Sequence, residues 1–436
     1  MGHQFDRKAQ SQAKHPKGNS GAPRAPIIPT SSMQPGWKGP GYVKKVRKIP
    51  RQQPVSAGQT TKLQEQLLPI ELQQLLLNVF RDTFPASKEF EDLKPVLQEI
   101  NDALGQKDFE IAFGKIEFLE AYSVRWSPSR ALTYATLLAY ICNEKAREEA
   151  WVQLLVALER TTENPANIVC FGGGAADLLA FAGLLRYLRS DAAGKPDGIV
   201  SNHHGEVSIQ HGNMPEMSNA LSVSKTEPTS TVMDLHLIDK ADWASVISDL
   251  HASLRTPPIL SKYASATARL SNASFLASKA LSVSFTKANI LESSIDDLRA
   301  MIGVDPVLLA LLFTLNDLYV ASIPKTTAFL LKLTAAAPKD ALLLVVDTPG
   351  AESEVGRSIN DEKDDGEERE SRKYPMHWLM DKVLLDQGMR KEGDLHSAAK
   401  WEKVMDEENM SNKLEEGLRY PVLENLRFQV HLFRRM

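Results

Sequence analysis

Asn167-Ile168-Val169-Cys170-Phe171-Gly172-Gly173-Gly174-Ala175-Ala176-Asp177 is the stretch on which the fold of this chain turns. Five residues suited to a buried strand run into three glycines, and Ala175–Arg189 then has helical character. A strand, a glycine-rich turn and a helix in that order bring unhindered backbone, and the free N–H groups of a helix start, up to a ligand. Such turns also occur for packing alone, so a binding role for Gly172, Gly173 and Gly174 needs support from further along the chain. One departure stands out: Cys170 occupies the place where an acid often precedes the first glycine, and Ala176 replaces a third spaced glycine.

The support comes from Val232-Met-Asp-Leu-His-Leu-Ile-Asp239-Lys-Ala-Asp242-Trp243, a second strand ending in acids. An acid at the carboxyl end of the second strand can accept both hydroxyls of a ribose; Asp239 is placed for this, with Asp242 beside it. The alternative for Asp239 is a helix cap. A third strand, Leu281–Phe285, leads to Asn289, which can donate to and accept from an adenine edge or simply make a turn. A fourth, Leu308–Leu315, leads to Asn316 and Asp317, where an open α/β sheet presents its reacting groups; helix capping is again the alternative. Strand-like and helix-like runs continue to alternate through Ala341–Val346, which predicts a parallel α/β sheet of the Rossmann type over residues 162–436. Tyr420–Phe433 alternates loosely and is expected to add one or two edge strands.

Upstream, apolar residues from Leu67 to Phe80 recur at three- and four-residue steps, and similar patterns follow to Arg160. They predict a helical subdomain over 61–161. Residues 1–60 are rich in Pro, Gly, Ser, Gln, Lys and Arg and are expected to be a disordered basic tail. Residues 1–56 carry eleven Lys and Arg against one acid, Asp6, although the whole chain of 436 residues has a net charge of only −4. A basic arm on an acidic body suits a polyanionic partner. Lys44-Lys45-Val46-Arg47-Lys48 fits a nuclear or nucleolar import signal, with the cytoplasm as second choice of location. Polar insertions are expected at about 190–230 and 351–373.

Several classes are set aside. No apolar stretch reaches the ~18 residues of a membrane span. Two cysteines, Cys142 and Cys170, make no disulfide framework or zinc site. His203, His204 and His211 lie in the polar insertion without other ligands, so no metal is expected. Asp347-Thr-Pro-Gly350 looks like one GTPase motif, but the phosphate-cradling G-x-x-x-x-G-K-[ST] loop is absent. No G-x-S-x-G elbow occurs.

Five segments together are familiar: Tyr122-Ser-Val-Arg125-Trp126-Ser127-Pro128-Ser129-Arg130-Ala131-Leu132, Cys170–Phe181, Leu237–Trp243, Phe313–Tyr319 and Tyr420–Phe428. Across roughly residues 62–436 the chain resembles a fungal family of class I S-adenosylmethionine-dependent methyltransferases of 25S ribosomal RNA, which modify uridine at N3. The resemblance implies S-adenosylmethionine as cofactor and ribosomal RNA or a pre-ribosomal particle as partner of a monomeric enzyme. Within that frame Asp317 takes the N3 proton and Asn316 holds the base edge. Arg125 and Arg130 bind phosphates and Trp126 stacks on a base, unless it packs the helical segment on the sheet. Two other readings remain open here: a methyltransferase of protein or small molecules, and a ribosome-assembly factor whose altered turn no longer holds cofactor.

Overall fold

A computed structural model describes residues 61–63, 67–156, 165–194, 231–270, 272–350, 352–355, 372–385 and 400–436. All of them belong to one compact unit, Gly58–Met436. The basic tail, most of the insertion at 190–230, its three histidines and most of the acidic loop lie outside the described residues.

Five parallel strands form the centre: β2 (Ala166–Phe171), β3 (Met233–Asp239), β4 (Leu281–Lys287), β5 (Val307–Leu312) and β6 (Leu342–Asp347). With β1 (Thr61–Lys62), β9 (Trp401–Asn412) and β10 (Leu426–Arg435) they give the order β1-β9-β10-β6-β5-β2-β3-β4. A small antiparallel pair, β7 (Glu352–Val355) and β8 (Arg372–Pro375), stands apart. The order reverses between β2 and β5, both parallel to each other, and at such a switch point the strand ends open a crevice.

Alternation along the strands builds a three-layer structure. Ile168 and Cys170 of β2, Leu308 and Ala310 of β5 and Leu342 and Leu344 of β6 face one core. Val169, Phe171, Leu309, Leu311, Leu343 and Val345 face the other. The second core is closed by α10 (Ile295–Ile302), α12 (Ile323–Ala336) and α13 (Met376–Leu384). Between β5 and α12 lies the short α11 (Leu315–Ala321), so the expected strand to Leu315 stops at Leu312.

The first core is closed by α7 (Ala175–Gly194), α8 (Ala244–Arg255) and the upstream helices α1 (Ile70–Thr83), α2 (Lys94–Gly105), α4 (Ile116–Arg125), α5 (Ser127–Lys145) and α6 (Ala150–Val156). Leu76 and Phe80 of α1 and Leu132 of α5 are fully buried in the same cluster as Leu308 and Leu432 of the sheet. The helical segment is therefore one layer of the sheet domain rather than a separate subdomain: its apolar stripes find their partner on the sheet face. Gly183 of α7 makes the close approach possible, since a Cβ there would lie 2.8 Å from Leu76. The helical pattern predicted upstream of Arg160 is interrupted between α3 (Phe109–Ala112) and α4, with Gly114 at the break.

The tail departs from expectation. β10 is not an edge strand but lies between β6 and β9, antiparallel to both. Its polar residues tolerate burial because they pair. His431 Nδ1 lies 2.6 Å from Asp406, and Gln429 donates to the Thr348 carbonyl at 2.7 Å.

Leu76→Ala is expected to cost about 2–5 kcal/mol in urea unfolding, with helix and sheet still melting in one transition. Two resolved transitions in the wild-type protein would contradict the shared core.

Candidate functional site

At the switch point a cavity of about 880 Å³ opens above the ends of β2, β3, β4 and β5. Its floor is Gly172, Gly174 and Thr314; its walls carry Asp177, Asp239, Asp242, Asn289 and Asp317. The roof comes from α3, α4 and α5 through Phe113, Tyr122, Arg130 and Tyr134. That size suits a nucleoside cofactor together with part of a second reactant.

Gly172 has φ +75°, and a Cβ there would fall 2.5 Å from the Thr314 side chain. Only glycine meets both demands. Gly174 faces the Trp243 indole, where a Cβ would sit 3.3 Å from the ring. Gly173 does not reach the cavity; it is small because Cys170 and Leu237 lie 2.7 and 2.9 Å from where its Cβ would be. The turn's N–H groups are also not free as expected. Gly172 and Gly173 donate to the Ile238 carbonyl, and Gly174 donates to Asp177 Oδ2 at 2.9 Å. A ligand at this turn therefore meets glycine Cα faces and acid side chains rather than the amides of the three glycines.

Asp177, in the first turn of α7, was not among the sequence candidates. Its carboxyl is buried beside the turn, and desolvation pushes its pKa up to about 7. The signal was present in the sequence as the acid three residues after the last glycine. Asp239 accepts from the Ala241 N–H at 2.6 Å, and burial raises its pKa to about 6 against the hydrogen bonds of Ala241 and Trp243. It thus turns the chain and lines the cavity at once. Asp242 stands at the rim, 3.5 Å from Lys287. Asn289 Oδ1 accepts from the Leu291 N–H at 3.2 Å, the turn role weighed for it, while the residue lines the cavity.

Asp317 stands open to the cavity at the start of α11, where desolvation and then Asp347 raise its pKa to about 6. Asn316 does not accompany it. Asn316 is outside the cavity lining, its N–H is held by Asp347 Oδ2 at 2.9 Å, and its Oδ1 is buried without a partner. Successive residues of a helix start point about 100° apart, so only one of the two can face the site.

The three residues expected to touch RNA divide. Arg125 is drawn into an ion pair with Glu424 and away from solvent. Trp126 packs on Tyr122, ring centroids 5.0 Å apart, and takes the packing role rather than offering a free face. Arg130 lines the cavity, donating to the Tyr122 hydroxyl and lying over the Tyr122 and Phe313 rings. It is not on an outer phosphate-binding surface.

Buried acids with raised pKa values fit a ligand that brings hydroxyl donors and positive charge. S-adenosylmethionine brings a ribose, an ammonium and a sulfonium. Asp239, Asp177, Gly172 and Gly174 line the part of the cavity in which such groups would be met.

Asp177 is protonated in the folded protein and ionised in the unfolded chain between about pH 4 and its raised pKa of about 7. The unfolded state then binds fewer protons, so ligand-free stability falls as pH rises through this window. Thermal melting from pH 5 to 8 is expected to show this fall, and Asp177→Asn to flatten it. An unchanged slope would place the carboxyl outside the buried site. Asp239→Ala is expected to weaken S-adenosylhomocysteine binding by about 1–3 kcal/mol in calorimetry; full affinity in a folded variant would remove Asp239 from the cofactor site.

Residues 80–434 match a family model described as "Putative SAM-dependent methyltransferase". The 25S rRNA (uridine(2843)-N(3))-methyltransferase of Saccharomyces cerevisiae is 24% identical over 372 residues, covering 83% of this chain and 85% of the yeast protein. Solved structures include a SAM-dependent methyltransferase of Methanosarcina mazei, 8% identical, covering 64% of this chain and 97% of that one at a TM-score of 0.28. Another, from Clostridium acetobutylicum, is 7% identical and covers 70% and 99% at a TM-score of 0.26. Since the family match runs through the helical layer, the glycine turn and the last strand alike, the chain belongs to that family and is an S-adenosylmethionine-dependent methyltransferase.

Proposed function

We propose that this enzyme methylates N3 of a uridine in large-subunit ribosomal RNA. The likeness to the yeast enzyme over most of both chains supports the substrate class. The observation that carries the chemistry is Asp317, a carboxyl with a pKa of about 6 standing open in the cavity, across from the glycine turn. Uridine N3 is weakly nucleophilic while it carries its proton, and a carboxylate of this pKa is ionised at neutral pH and able to take it.

S-adenosylmethionine supplies the electrophilic methyl group. The protein's own task is alignment and proton removal. N3 lies on the Watson–Crick edge, so the base enters the cavity unpaired or flipped out of a helix. Phe113, Tyr122 and Trp243 form an apolar aromatic wall that excludes water, with ring centroids 5.1–6.2 Å apart.

The eleven basic residues of the first 56 are assigned to phosphates of the RNA, and the Lys44–Lys48 cluster to delivery to the nucleolus. The enzyme is taken to act as a monomer.

Mass spectrometry of ribosomal RNA from cells lacking the protein is expected to reveal loss of one 3-methyluridine. Asp317→Asn in the same cells is expected to restore little of it, with a rate loss of about 10²–10⁴-fold in vitro and cofactor affinity kept. An unaltered 3-methyluridine content in the deletion would refute the RNA assignment. Removing residues 1–56 is expected to weaken RNA binding and reduce its salt dependence while S-adenosylhomocysteine affinity stays the same. Equal salt slopes for the two proteins would exclude the arm from RNA contact.

A further inference from the structure

Resting on the uridine reading above, we propose that Arg130 reads a carbonyl oxygen of the target base and holds the negative charge that spreads over it when N3 loses its proton. In this role Arg130 is a specificity-determining residue for uracil, taking over the base-edge contact that Asn316 does not make.

The placement of the guanidinium carries the inference. Arg130 sits in the first turn of α5, lines the cavity and is largely shielded from solvent. Its Nη1 donates to the Tyr122 hydroxyl, and its centre lies 5.5 Å from the Tyr122 ring and 5.3 Å from the Phe313 ring. Tyr134 stacks on the far side of the cluster, 6.0 Å from Phe313 at 30°. Among the described residues no carboxylate forms an ion pair with Arg130. The Asp317 and Asp177 carboxylates of the same cavity balance its charge without an ion-pair contact, so the guanidinium keeps several N–H donors for whatever enters.

Phe313 supplies a second, independent sign. It follows β5 directly, with its N–H on the Val346 carbonyl at 2.7 Å and φ +56°. The left-handed region costs a phenylalanine about 1–2 kcal/mol, and such strain gathers at sites where a side chain must be aimed. Here it aims the ring under Arg130, one residue from the glycine floor's Thr314 and four from Asp317. The ring fixes the guanidinium from below, so its N–H donors are presented to the cavity in one orientation.

Donor and acceptor then sort the bases. Asp317 accepts and Arg130 donates. Uracil offers an N3–H donor beside a carbonyl acceptor, which matches both. With N3 at Asp317, cytosine would set a lone pair against the carboxylate, and an amine against the guanidinium where Arg130 faces C4. The step balances within these groups. The N3 proton passes to Asp317, and the electron pair left behind spreads onto the carbonyl facing Arg130. N3 then forms its bond to the methyl carbon as the carbon–sulfur bond breaks, its pair leaving on sulfur.

The test uses full-length protein, large-subunit rRNA transcripts made with UTP or 5-fluoro-UTP, and precursor particles from cells lacking the protein. Fluorine at C5 makes the N3 proton more acidic, so it lessens the need for a stabilising cation. Arg130→Gln is expected to lower 3-methyluridine formation by about 100-fold or more. Its rate should climb further with pH than that of wild type, and 5-fluorouridine should recover at least about tenfold of the loss. Arg130→Lys, which keeps the charge, should lie between the two. S-adenosylhomocysteine affinity by calorimetry should stay within about threefold of wild type in both variants. A loss of that affinity would assign Arg130 to the carboxylate of the cofactor's methionine end and overturn the proposal. So would equal effects of fluorine on wild type and Arg130→Gln. Wild-type protein that modifies no uridine N3 in transcript or particle overturns the uridine reading itself, an outcome visible before any variant is made.

Discussion

Where β2 and β5 part company, residue 172 turns the chain left-handed with Thr314 of the neighbouring strand end pressed against it. The gap between these two strands is forced by topology: the helices after β2 and after β5 leave to opposite faces of the sheet, and nothing regular can fill the space above. A side chain at 172 would have to push Thr314 away, and with it Phe313 and the start of α11. The cavity floor, the strained aromatic ring and the carboxyl of Asp317 are thus tied to one contact of bare backbone with a threonine.

Charge is distributed around that floor in an unusual way. Asp177, Asp239 and Asp317 all have carboxyls whose desolvation favours the neutral form, and Arg130 stands among aromatic rings without an ion-pair contact among the described residues. The three carboxylates are less stable in their ionised form than they would be in water. A ligand that carries positive charge and hydroxyls relieves them. The site holds free energy that binding recovers, and it does so in two halves: acids toward the glycine turn, cation and acid toward the open side.

The aromatic roof joins those halves to the helical layer. Tyr122 contacts Phe113, Trp126 and Trp243 and also anchors Arg130, so α4, α5 and the loop after β3 meet at one ring. This explains why the Tyr122–Leu132 segment and the Leu237–Trp243 segment, distant in sequence, were both recognisable. They are two sides of one packing arrangement. Trp126 and Arg125 belong to its outer rim, where Glu424 returns from the C-terminal segment to close it.

Local periodicity was enough to reveal the strand–turn–helix at Ala166–Gly194, the acid ending β3, and the alternation that makes a parallel sheet, because these depend on neighbours within a few residues. The position of β10 inside the sheet was hidden, since Gln429 and His431 look like surface residues until their partners Thr348 and Asp406 are brought alongside. Likewise the sequence listed Asn316 with Asp317 and Arg125 with Arg130 as pairs, and neither pair acts together. Rotation along the start of α11 turns Asp317 toward the cavity while Asp347 holds the Asn316 N–H, and the break between α4 and α5 leaves Arg125 to Glu424 while Arg130 faces the cavity. Composition and spacing therefore determined the kind of fold and its glycine floor. Tertiary contact decided which side chains share the cavity, because burial and orientation are properties of the assembled layers and not of any one segment.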